Sequence, residues 1–225
     1  MMKAIKYITM FCLLFFITLV SANENDMRKI FDSIVYTNEP VASSELVEKG
    51  LPKDFYGAKK AFDGKVETAW VEGVEGDGIG EYIIFNLNFA SIPGYDEFED
   101  KNKYIEVELT IVNGVAKNKK LYEMNNRVKK AILEVYEAEV AIRQIDPWVL
   151  SEQEPILNTT FVLNLKDDMK PKKFLLRFRP KQKPIYGLSS SFLCIGKLII
   201  KEVYPGTKYK DTGISEIQAK RVDDN

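Results

Sequence analysis

Histidine is absent from all 225 residues. Its absence excludes Ser-His-Asp and Cys-His catalysis, and with them the common His-containing zinc sites. Cysteine is almost absent, with Cys12 and Cys194 alone. Cys12 lies in an apolar N-terminal run, so an exported chain would keep one thiol and no internal disulfide. A disulfide scaffold and a cysteine zinc cluster are both excluded. A dominant charge sign is missing as well, because 32 Lys and Arg nearly balance 33 Asp and Glu. This balance leaves no general phosphate-neutralising surface and argues against a nucleic-acid partner. Carboxylate chemistry, oxygen-ligand metal sites and binding without chemistry remain.

Residues 1–22 read as an export signal. Lys3 and Lys6 give a positive start, and Ile8 to Val20 is apolar apart from Thr9 and Thr18. Val20-Ser21-Ala22 supplies small residues for cleavage, and polar Asn23-Glu24-Asn25-Asp26 follows. An uncleaved anchor is the alternative, although the run is short for a full membrane span. The expected location is secreted, periplasmic or cell-surface, with no membrane insertion after cleavage. One thiol and no disulfide is a pattern common in exported bacterial proteins.

Beyond the signal the dominant period is two. Ile105, Val107, Leu109 and Ile111 alternate with Glu106, Glu108 and Thr110, which sends one strand face to the core and one to water. Ile83, Phe85, Leu87 and Phe89 line one face of a strand from Tyr82 to Phe89. Phe161–Leu165, Phe174–Phe178 and Leu198–Tyr204 are further strand candidates, rich in β-branched and aromatic residues. Val128–Ile142 reads as one long strand or two joined by a kink, with a helix as the lesser option. Turn-rich segments at Gly73–Gly80, Pro93-Gly94, Asn113-Gly114 and Pro205-Gly206 separate these runs. The expectation is one all-β domain over residues 36–219, a sandwich or barrel. Residues 23–35 would be a lead-in and 220–225 a polar tail. Asp96–Lys103 reads as a solvated loop.

The most distinctive stretch is Ala61-Phe62-Asp63-Gly64-Lys65-Val66-Glu67-Thr68-Ala69-Trp70. It resembles the start of discoidin-like, coagulation factor 5/8 type C domains, which are jelly-roll β-sandwiches of the galactose-binding-like class. Val71-Glu72-Gly73-Val74-Glu75-Gly76-Asp77-Gly78-Ile79-Gly80-Glu81 narrows the resemblance to the NADase-type glycan-binding branch. Ile111-Val112-Asn113-Gly114, Leu121-Tyr122 and Asn125-Asn126-Arg127-Val128-Lys129 follow that branch's order. Val203-Tyr204-Pro205-Gly206-Thr207-Lys208-Tyr209-Lys210-Asp211-Thr212 then precedes Ile214-Ser215-Glu216-Ile217. Ile92–Lys103 and Lys181–Phe192 look longer than the family's spacing, and Val115 stands where an aromatic is expected.

The resemblance implies an exported, non-catalytic carbohydrate-binding module. Its partner would be a glycan or glycoconjugate, held by loops at one end of the sandwich. Glu72, Asp77, Tyr122, Asn126 and Arg127 are the expected contacts, since carboxylates accept from hydroxyls and amides and guanidinium donate. The bland reading of Asn126 and Arg127 is a turn cap and an ion pair. No cofactor is required. In related sugar-binding jelly rolls the Asp-Gly loop wraps calcium, which implies Asp63, Thr68 and Glu216 as ligands of a structural ion. The alternative is a plain tight turn, with Glu216 bonded to backbone amides. Trp70 is expected in the core and Cys194 as a buried small hydrophobe. Lys117-Asn118-Lys119-Lys120 with Lys129-Lys130 forms a basic patch, either solvated or facing an acidic glycan. Asn158-Thr159-Thr160 fits a glycosylation acceptor. A protein–protein adhesion or envelope-assembly module is the alternative function. A carboxylate hydrolase is the lesser one, because a glycine-rich loop supports paired carboxylates poorly.

Overall fold

The computed structural model describes residues 27–87, 104–141, 149–150, 154–181 and 190–222. The expected signal, the loop Ile92–Lys103 and most of Lys181–Phe192 lie outside the described residues.

Ten strands follow in order. They are β1 (Val41–Ala42), β2 (Trp70–Val71), β3 (Tyr82–Asn86), β4 (Ile105–Asn113), β5 (Asn126–Ala141), β6 (Val149–Leu150), β7 (Ile156–Asn164), β8 (Lys172–Phe178), β9 (Ser190–Tyr204) and β10 (Thr212–Arg221). Helix α1 covers residues 27–37, a 3-10 turn spans Ala58–Ala61, and α2 spans Lys119–Met124. Of the run Val128–Ile142, residues 128–141 are strand, not helix, and Ile142 lies outside the described residues. Residues 128–141 form most of the 16-residue β5, with a register irregularity at Val135/Tyr136 against β7.

One layer runs β1-β3-β9-β5, with β7 and β6 on the other edge of β5. The second layer holds β2, β10, β4 and β8. The layers join where β5 runs parallel to β10, with Asn126 opposite Thr212 and Arg127 opposite Gly213. This is a β-sandwich whose two sheets are stitched at one end.

The alternation on β4 works as expected. Ile105, Val107, Leu109 and Ile111 are buried, while Glu106, Glu108 and Thr110 are half-buried on the other face. They share a core with Ile83 and Phe85 of β3, Leu133 and Val135 of β5, and Leu176 and Phe178 of β8. Trp70 sits in that core, fully buried, and donates its indole N–H to the Ser44 carbonyl at 2.9 Å. Cys194 is also fully buried, and burial pushes its thiol well above the ordinary range.

Residues 23–35, read as a lead-in, include most of α1. Its Phe31, Ile34 and Val35 pack on Ile84, Ala138, Val140, Leu193 and Ile195, the outer face of the first sheet. The first sheet therefore packs an apolar cluster on each face, one against the second layer and one against α1. The 220–225 segment begins as strand, since Lys220 and Arg221 pair with Glu108 and Val107.

Candidate functional site

The five expected contact residues come together at the stitched end. Glu72 is fully buried and bridges loop and strand. Its carboxylate accepts from Val74 N at 2.9 Å and Thr212 N at 3.0 Å. Gly78 has φ +65°, and a Cβ there would lie 2.6 Å from the Glu72 side chain. The glycines of this loop thus let the backbone close over a carboxylate. Burial raises the Glu72 pKa despite those two amides.

Asn126 is buried and donates to Asp77 Oδ1 at 3.2 Å and the Lys210 carbonyl at 2.6 Å, while accepting from Gly206 N at 2.6 Å. Arg127 is buried and forked onto Asp167, with Nε to Oδ1 at 3.0 Å and Nη2 to Oδ2 at 2.6 Å. Its Nη1 donates to the Asn125 and Pro205 carbonyls. Tyr122 is buried as well; its hydroxyl donates to Asp167 and its ring lies 5.3 Å from the guanidinium. Four of the five therefore spend their polar atoms inside the protein. Asp77 alone is exposed. Arg127 follows the ion-pair reading, and it ties α2, β5, the Tyr-Pro-Gly turn and Asp167 together.

Above this frame lies a cavity of about 780 Å³. Its floor is apolar: Leu46, Ala69, Val71, Val115 and Leu121 cluster there. Val115, which stands in place of an expected aromatic, is part of that floor. Phe55, Tyr56 and Tyr209 supply aromatic walls, with Phe55 and Tyr209 about 40% exposed. The polar rim includes Glu48, Lys60, Glu67, Thr68, Lys117, Asn125 and Asp211. The Tyr56 hydroxyl reaches Glu48 at 3.4 Å, and burial, then Glu48, raises its pKa. Size and chemistry are those of a small-molecule site. The sequence reading missed Phe55 and Tyr56; the available signal was two adjacent aromatics in a turn segment between Gly50 and Gly57.

The Asp63–Thr68 loop forms one wall of this cavity and carries the expected ion ligands. Thr68 Oγ1 donates to Asp63 Oδ1 at 2.8 Å and lies 2.9 Å from the Lys65 carbonyl. The Lys60 carbonyl is 3.4 Å away. Glu216 Oε2 accepts from Gly64 N at 3.1 Å. Burial and then the Asp63 charge raise the Glu216 pKa. Among the described residues no three of His, Cys, Asp and Glu gather as a metal cluster. Carboxylate, hydroxyl and carbonyl oxygens together fit a hard cation that takes six to eight oxygens.

The other features resolve simply. Lys129 and Lys130 pair with Glu202, and Asn118 caps α2 by accepting from Leu121 N. Asn158 is buried, and its amide donates to Glu137 and the Arg179 carbonyl, so the folded protein closes the glycosylation pattern. Among the described residues no helix is long and apolar enough to cross a membrane.

No curated protein matches the chain. Several solved structures are similar. The arabinofuranosyltransferase AftD from Mycobacteria is 16% identical with a TM-score of 0.45, over 81% of this chain but only 11% of that one. A Clostridium perfringens CBM32 module in complex with GalNAc-β-1,3-galactose is 18% identical with a TM-score of 0.42, over 83% and 97%. An F5/8 type C domain from Bacteroides fragilis is 14% identical with a TM-score of 0.40, over 81% and 91%. The family model described as the NAD glycohydrolase translocation F5/8 type C domain matches residues 31–220. With that span matched, the chain belongs to the NAD glycohydrolase translocation F5/8 type C domain family.

Proposed function

We propose that the chain is an exported, non-catalytic glycan-binding module whose site is the 780 Å³ cavity at the stitched end. The observation that carries this reading is the union of three aromatic rings with a polar rim over a rigid floor. Ring faces suit the C–H surfaces of a sugar, and rim carboxylates, amide and ammonium groups match its hydroxyls. None of Glu72, Asp77, Tyr122, Asn126 and Arg127 lines this cavity; they form the hydrogen-bonded frame beside it. Glu72 is a poor candidate for acid–base work, since backbone amides occupy both its oxygens. A glycan array is the test: saturable binding to a defined sugar class is expected, and a blank array would count against the reading.

Exposed Val47, Leu51 and Phe55 beside the cavity favour a second reading, a protein partner. The family description, which concerns translocation of an NAD glycohydrolase, also supports it. The same array separates the two.

Asp63, Thr68 and Glu216 are proposed to hold calcium, with the Lys60 and Lys65 carbonyls. The ion would neutralise two neighbouring carboxylates and fix the cavity wall. At a hundredfold excess over its Kd, calcium should add about 2.7 kcal/mol. Melting in calcium should therefore exceed melting in chelator by several degrees, and Asp63→Ala should abolish the difference. Equal melting in both would remove the ion from the account.

A further inference from the structure

On the opposite side of the Asp63–Thr68 loop lies a second cavity, of about 470 Å³. It opens on the flank of the sandwich, between β3 and β10. Its floor carries the half-buried Phe62, backed by the core residue Phe85, with 5.1 Å between ring centroids. Around the opening stand Asn38, Asn86, Gln218 and Lys220, with Glu216 at the inner edge. Asn86 Nδ2 donates to Asn38 Oδ1 at 2.9 Å, which holds the two amides together.

Asn38 is the non-glycine residue with positive φ, at +56°, among the described residues. It ends α1, and its N–H bonds the Ile34 carbonyl at 2.8 Å. The left-handed cap is what turns its side chain off the helix and over this opening. Asn38 is exposed, and its Nδ2 has no hydrogen-bond partner among the described residues. An amide donor pair beside an aromatic ring suits the vicinal hydroxyls and C–H face of an uncharged pyranose.

We infer that this flank cavity is a second, independent sugar subsite that takes a single neutral hexose unit. The inference rests on the glycan reading of the chain but uses none of the residues of the end cavity. It gives the module two contact points separated by the Asp63–Thr68 loop. A polymeric glycan that reaches both sites gains avidity without any new contact.

The test is amide-resolved NMR of the full folded domain, titrated separately with galactose, glucose, mannose and N-acetylglucosamine. Saturable shifts of the Asn38 and Gln218 side-chain amides by at least one of these sugars are expected, and Tyr209→Ala should leave them unchanged. Asn38→Gly keeps the left-handed backbone and removes the amide. It should weaken the flank response about tenfold, the size of one well-made polar contact. Gln218→Ala, at an exposed position, supplies an independent reduction. Shifts confined to the end cavity would overturn the flank site and leave the glycan reading standing. No saturable shift at either cavity, together with a blank array, would overturn both.

Discussion

Trp70→Ala should lower the unfolding free energy by about 3–5 kcal/mol, the usual cost of emptying a large aromatic from a core. Trp70 is fully buried in the main core and packs on both layers. The cavity left behind is too large for neighbours to fill, because β2 is tied to β10 on one side and to loop 44–46 on the other. Trp70→Phe should cost less. It keeps most of the volume but leaves the Ser44 carbonyl without its donor, at about 1–2 kcal/mol. Chemical denaturation of the two variants checks both values. A small loss for Trp70→Ala, combined with lost ligand affinity, would mean that the ring reaches a ligand and is not core.

Arg127→Ala should cost about 2–3 kcal/mol. Breaking a fully buried ion pair costs about 3–5 kcal/mol, and water around the partly exposed Asp167 side chain reduces that. In a domain of this size the melting temperature should fall by roughly 4–12 °C. The pH dependence follows from Asp167. Its carboxyl is held below the ordinary range, first by the hydrogen bond from Arg127. A lowered carboxyl pKa contributes stability that is fully present above the unfolded value, about 3.9. That stability disappears as pH falls through the folded value. The gap between wild type and Arg127→Ala should therefore narrow below about pH 4. A constant gap from neutral to strongly acid pH would contradict the ion pair. Gly114 reinforces the point: with φ +68°, a Cβ there would lie 2.6 Å from Arg127 Cγ and 2.8 Å from the Tyr122 ring.

Much of this architecture was legible because one sheet face meets the core and the other meets water. β4 is the clear case, with its strict alternation from Ile105 to Ile111. β8 and β9 were read instead from their β-branched and aromatic residues, and β9 extends further back, to Ser190. β10 carried no such pattern and was not proposed as a strand. From Thr212 to Ile217 every residue is buried, polar ones included. Ser215 is satisfied by Ala116 N and the Gly114 carbonyl, and Glu216 by Gly64 N. When loops cover the outer face of a strand, polar residues there cease to mark solvent. α1 was missed in the same way, since an 11-residue helix on a sheet needs only Phe31, Ile34 and Val35 to anchor it.

The site was half legible. Glu216 reaches the Gly64 amide of the Asp63–Thr68 loop although it lies far along the chain, because β10 returns beside that loop. Asn126 and Arg127 lie where β5 meets β10, and their side chains bond inside the protein. Residue type alone cannot tell a guanidinium that meets a ligand from one that meets Asp167. The aromatic walls were the harder part. Phe55 and Tyr56 belong to a turn segment without periodicity, and Tyr209 sat inside a motif read as a closing turn. Only the fold brings them around Val71, Val115 and Leu121.

Sugar binding in the end cavity is proposed to run through its aromatic walls. Calorimetric titration of wild type and Tyr209→Ala with the strongest glycan from the array tests it most directly. Tyr209 is partly exposed and lies outside the main core, so the variant should melt with the wild type. Its affinity should fall at least about tenfold, equivalent to roughly 1.4 kcal/mol. Equal affinity in the two proteins would contradict the claim.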